Sequence, residues 1–101
     1  MIQYRQGDVL VEVSDIPKDA KRMKREGRIV LAEGEATGHA HTMEADLVEL
    51  YERKGTLYMR VFEPAPLIHQ EHAAITVAPG TYKVTRQREW SDAQEPRQVL
   101  D

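Results

Sequence analysis

Asp46-Leu47-Val48-Glu49-Leu50-Tyr51-Glu52-Arg53-Lys54-Gly55-Thr56-Leu57-Tyr58-Met59-Arg60-Val61-Phe62 is the stretch from which the fold can be read. Val48 and Leu50 stand two apart, as do Leu57, Met59 and Val61, and Tyr58, Arg60 and Phe62 fill the alternate positions. Successive side chains of an extended chain point to opposite faces, so a period of two gives each run one apolar face. Between the runs stands Lys54-Gly55. Glycine takes positive φ without a Cβ penalty, and a two-residue connection of this kind closes a hairpin. Residues 46–53 and 56–62 therefore read as paired antiparallel strands.

The same pattern extends outward. Toward the N-terminus, Val9, Val11 and Val13 alternate with Leu10 and Glu12 after a Gly7-Asp8 turn, and Ile2 and Tyr4 suggest a short strand before it. Arg28 to Glu33 carries the β-branched pair Ile29 and Val30. Toward the C-terminus, Pro64 and Pro66 interrupt the pattern and reduce the next segment to an edge or a loop. Ala73 to Val77 alternates again, Ala78-Pro79-Gly80 is a turn, and Thr81 to Trp90 resumes with Tyr82 and Val84 on one face. Only Lys18 to Glu26 has helical composition, with Ile16-Pro17 as a start. Its apolar positions are Ala20 and Met23 alone, so it reads as a helical turn or an extended basic loop. Seven or eight short strands with regular turns predict an all-β fold, a small antiparallel β-barrel or sandwich. Residues 1–91 form the single β-domain, and 92–101 a polar C-terminal tail. Exposed strand edges favour a homo-oligomer that covers them.

Composition narrows the function. The 101 residues carry a net charge of -3 and 31% charged residues, which fits one globular domain. With no cysteine, disulfides, thiolate metal sites and cysteine nucleophiles are excluded. Absence of cysteine, of an apolar leader and of any run of about 20 apolar residues predicts a soluble cytoplasmic protein. Gly34 and Gly38 are not followed by Lys-Ser/Thr, so there is no phosphate-binding loop. The serines, Ser14 and Ser91, form no nucleophile elbow.

The chemistry gathers at the histidines. Two lie in Glu33-Gly34-Glu35-Ala36-Thr37-Gly38-His39-Ala40-His41-Thr42-Met43-Glu44, and the other two in His69-Gln70-Glu71-His72. On a strand, His39 and His41 share a face, and two neutral imidazoles there can converge on one divalent ion. Glu44, Glu33 or Glu35 can add a carboxylate. His69 and His72, three apart, point together only on a turn or bulge, which the flanking prolines permit. Glu71 is then a further ligand, an orienting carboxylate or a general base. Imidazole with carboxylate suits Zn, Fe, Mn, Ni or Cu better than calcium or magnesium.

Gly34, His39, His41 and Glu44 resemble the first metal motif of the cupin superfamily: a glycine, then His-x-His, then a glutamate a few residues on. The resemblance spans about a dozen residues and implies a cupin-like barrel, with His39, His41 and Glu44 as ligands at its mouth. The second cupin motif is absent. Ala78-Pro79-Gly80 offers its turn but no histidine follows, so His69 or His72 must supply the remaining ligand.

Three functions are consistent with these residues. The first is a metal-binding β-domain, extending to a metal-dependent enzyme on a small molecule, with His39, His41, His69 and His72 as ligands and Glu44 or Glu71 as the catalytic carboxylate. The second is a non-catalytic binding or assembly module. Its nucleic-acid or protein partner would use the basic segment 18–28, with Arg86, Arg88 and Trp90 of the last strand. The third is a metal-free enzyme using histidine as acid and base.

Overall fold

The computed structural model describes residues 3–33 and 39–86. The central hairpin has β6 at Val48–Arg53 and β7 at Thr56–Val61, paired antiparallel with Val48 opposite Val61 and Leu50 opposite Met59. Lys54 and Gly55 both take positive φ, 50° and 82°, as a type I′ turn requires. Val48, Leu50, Met59 and Val61 are buried, on the face that the period of two assigns inward.

The other strands build on this pair. β1 (Gln3–Gln6) and β2 (Val9–Val13) form a hairpin around Gly7 and Asp8, with Gln6 opposite Val9. β10 (Gly80–Arg86) lies between β2 and β7, and β3 (Lys21–Met23) adds to β6. The result is one six-stranded antiparallel sheet in the order β1-β2-β10-β7-β6-β3. β4 (Arg28–Glu33) pairs with β5 (Ala40–Glu44), and β8 (Ala65–Leu67) with β9 (Ile75–Val77), as two further two-stranded sheets. One core joins the three: Val9, Val11 and Tyr82 from the large sheet, Ile29 and Met43 from β4 and β5, Leu67 and Val77 from β8 and β9. No helix among the described residues is long and apolar enough to cross a membrane.

The fold is all-β, as expected. Of the two readings of Lys18 to Glu26, a helical turn or an extended loop, the structure has the extended one, with a strand at Lys21–Met23. Without an apolar stripe it gains nothing by coiling, whereas as an edge strand it places Met23 against the core and Arg22 Nη2 3.0 Å from Glu49 Oε2. The described residues hold ten strands rather than seven or eight, because β3, β8 and β9 are only three residues long and leave too little alternation to read. Among the described residues the strands lie in three sheets that are not joined into a closed barrel. Pro66 lacks an N–H for a continuous ladder, and β4 shifts register between Val30 and Ala32. The glycine-rich segment 34–38, Arg88, Trp90 and the C-terminal tail lie outside the described residues.

Candidate functional site

An antiparallel backbone bridge, Thr42–Ile68, brings the two histidine segments together. Thr42 N–H donates to Ile68 O, and Ile68 N–H to Thr42 O, each at 2.9 Å. This is an antiparallel hydrogen-bonded pair, so the next position along, where side chains approach most closely, sets His41 opposite His69. Their ring centroids are 4.3 Å apart. Continuing the register sets Ala40 opposite Gln70, whose Oε1 accepts the Ala40 N–H at 2.9 Å, and His39 opposite Glu71, with Nδ1 and Oε2 3.6 Å apart. By alternation His41 lies on the face of Met43, and His69 on that of Ala65 and Leu67. Both rings thus continue the apolar core and are buried.

Beyond Gln70 the chain bends. The bend returns His72 to the cluster, its ring centroid 4.7 Å from that of His69 and 6.2 Å from that of His41. His39 completes it, 5.7 Å from His69 and partly exposed. Irregular backbone is what lets residues three apart share a direction.

The β1–β2 turn forms the remaining wall. Gln6 is buried, and its Nε2 donates to Leu67 O at 2.8 Å and to Ala73 O at 3.0 Å. These bonds direct its Oε1 at His41 Nδ1, 2.9 Å away. An amide oxygen only accepts, so His41 carries a proton on Nδ1. His41 Nε2 then faces Asp8 Oδ1 at 3.4 Å, and both side chains are 0% exposed. Arg86 Nη2 reaches Asp8 Oδ2 at 3.3 Å and donates to Glu33 O at 2.8 Å. Gly7 takes φ +61°, and a Cβ there would stand 2.6 Å from His72 Nε2. His69 Nδ1 accepts the Glu71 N–H at 3.1 Å, so the neutral ring carries its proton on Nε2.

The structure brings His39, His41, His69, His72 and Glu71 together. Glu44 is not with them: it is exposed at the end of β5, 3.9 Å from Arg28 Nη2. The sequence does not mark Gln6, Gly7 and Asp8 as site residues, because a hairpin turn already accounts for Gly7-Asp8, and it suggests Arg86 only for a nucleic-acid or protein-binding face, whereas here Arg86 reaches Asp8. Among the described residues, no three His, Asp or Glu side chains surround a common point as a preformed metal cage. In and near the basic segment, Arg22 pairs with Glu49, Arg28 with Glu44, and Arg53 with Asp19 at 2.8 Å.

A family model described as Domain of unknown function (DUF8820) matches residues 5–87, a span that takes in the whole cluster from Gln6 to Arg86. No curated protein and no solved structure matches the chain.

Proposed function

The chain belongs to the family Domain of unknown function (DUF8820), and we propose that this small β-domain binds a divalent transition metal ion between its two histidine segments. One observation carries the reading: four imidazoles from segments about thirty positions apart lie with ring centroids 4.3–6.2 Å from their neighbours. Two imidazoles on one ion, with bonds of about 2.1 Å at a tetrahedral angle, have centroids about 5 Å apart. The hydrogen bond from His41 Nδ1 to Gln6 supports it further. Metal-bound imidazoles characteristically donate their other N–H to a carbonyl or carboxylate, which fixes the tautomer and leaves Nε2 to bind.

His41, His69 and His72 are the inner imidazoles of this site, and His39 stands at its open side beside Glu71. Binding would turn the His69 and His72 rings, and His69 would release the Glu71 N–H. Imidazole-rich coordination admits Zn, Fe, Mn, Ni or Cu. When bound, such an ion supplies Lewis acidity or an activated water or dioxygen for chemistry on a small molecule. Glu71, exposed beside His39, is placed to move a proton there. The cupin likeness enters through the His-x-His strand β5, with Glu44 omitted, and a cupin-like barrel remains part of the proposal only. A metal-free acid-base site draws no support from His41, which is fully enclosed, and would rest on His39 at the open side. The nucleic-acid reading gains nothing from Arg22 and Arg28, which already lie beside Glu49 and Glu44.

The test is elemental analysis of protein purified without a histidine tag. About one transition-metal ion per chain is expected, with loss in His72→Ala and His41→Ala. Metal-free protein whose melting temperature is unmoved by Zn(II), Fe(II), Mn(II), Ni(II) and Cu(II) would overturn the reading.

A further inference from the structure

We propose that Asp8, from the β1–β2 turn, is the carboxylate ligand of this centre, in place of Glu44 or Glu71. The proposal rests on the metal reading above and adds to it a residue from a third part of the chain. Asp8 is fully buried, and a carboxylate taken out of water must be compensated. Arg86 compensates one oxygen, reaching Oδ2 at 3.3 Å. Oδ1 receives no hydrogen bond and faces His41 Nε2 at 3.4 Å.

That separation is longer than the about 2.7–2.9 Å of a charge-assisted N–H···O bond, and the bond to Gln6 holds the His41 ring with Nε2 turned toward Asp8. Two ligand atoms sharing a tetrahedral ion at about 2.1 Å each are about 3.4 Å apart, the separation found.

Gly7 gives a second, independent indication. With no Cβ, it lets the His72 ring lie against the turn; a methyl group there would meet His72 Nε2 at 2.6 Å and His41 Cε1 at 3.4 Å. His72 Nε2 is buried there with no hydrogen-bond partner. The two turn residues therefore act together: Asp8 delivers the charge and Gly7 makes room for a further imidazole. Arg86, held between Asp8 Oδ2 and Glu33 O, is a positioning residue. A centre with one carboxylate and several imidazoles suits Zn(II), Fe(II) or Mn(II) and disfavours soft Cu(I).

Zn(II) affinity, measured by chelator competition, and Co(II) absorption test this on untagged wild type, Asp8→Asn, Glu44→Gln, Glu71→Gln and Asp8→Cys. Asp8→Asn is expected to weaken Zn(II) binding at least about 10-fold while the apo protein keeps its β-sheet circular dichroism, and the two glutamate variants to bind as wild type. The chain has no cysteine, so a thiolate-to-Co(II) charge-transfer band in Asp8→Cys reports position 8 directly, even if Asp8→Asn folds poorly. Asp8→Asn binding as tightly as wild type, or Co(II)-loaded Asp8→Cys without that band, would overturn the assignment and leave the metal reading standing. Wild-type protein that binds neither ion would overturn both.

Discussion

A methyl group at Gly7 would meet the His72 ring at 2.6 Å, on a backbone held at φ +61°. The left-handed conformation alone costs an L-residue about 1–2 kcal/mol. Gly27 provides the control, with φ +74° and nothing within 4 Å of an added Cβ. Gly27→Ala should show the backbone cost alone, and Gly7→Ala at least about 1 kcal/mol more, read as a melting temperature lower by a further 4–8 °C or so. Gln6 is the other critical small contact. Gln6→Ala removes the donor to two carbonyls and the acceptor for His41, and each buried group left unsatisfied costs about 1–3 kcal/mol. Urea unfolding should show a loss of about 2–4 kcal/mol in total, since Ala73 O is only partly buried. Tyr82 contributes to the alkaline limit. Burial, then the charge of and hydrogen bond with Tyr4, raise its phenol above the ordinary 10.0. The folded state thus prefers the neutral phenol; its contribution is complete below pH 10.0 and fades as pH climbs through the raised value. Tyr82→Phe, which also loses the 2.6 Å bond to Ala78 O, should be less stable at neutral pH but lose less on going to alkali.

The β6–β7 hairpin shows why some elements announce themselves in sequence. Its strands are six residues each, long enough for a period of two to separate faces, and its turn has the glycine that a positive φ demands. Lys54 occupies the other positive-φ position, where asparagine is better tolerated. Lys54→Asn should therefore raise the urea midpoint by the equivalent of about 0.5 kcal/mol. β3, β8 and β9 give no comparable signal, because three residues show at most one repeat and their pairing is decided by partners far along the chain. The candidate site divides in the same way. His39 and His41 share a face by local alternation, which the sequence displays. The meeting of His41 with His69 depends on the Thr42–Ile68 pair, and the return of His72 on a bend, both of them tertiary facts. Asp8 was hidden for a different reason: its turn had a sufficient local explanation, so its burial beneath His41 left no trace in the pattern.

The cluster draws on all three sheets at once. Asp8 and Gln6 come from the turn end of the six-stranded sheet, His41 from the β4–β5 ribbon, and His69 and His72 from the connection between β8 and β9. Among the described residues, links between these parts near the site include the Thr42–Ile68 bridge, the Ala40–Gln70 hydrogen bond, Gln6's amide and the Arg86–Glu33 hydrogen bond. An ion bound there would cross-link segments that otherwise separate on unfolding, and an ion that prefers the folded state stabilises it by mass action. At a free concentration 100 times the dissociation constant the gain is about 2.7 kcal/mol. For a domain of this length each kcal/mol moves the melting temperature by about 4–8 °C, so saturating Zn(II) should raise it by roughly 10–20 °C. Excess chelator should reverse the rise. The shift should vanish in His41→Ala and shrink in Asp8→Asn, while Glu44→Gln, altered on an exposed carboxylate paired with Arg28, keeps it. Differential scanning calorimetry separates this from nonspecific surface binding, because a Glu44→Gln shift as small as that of His41→Ala would mean that the ion is held by scattered carboxylates and not by the buried imidazoles.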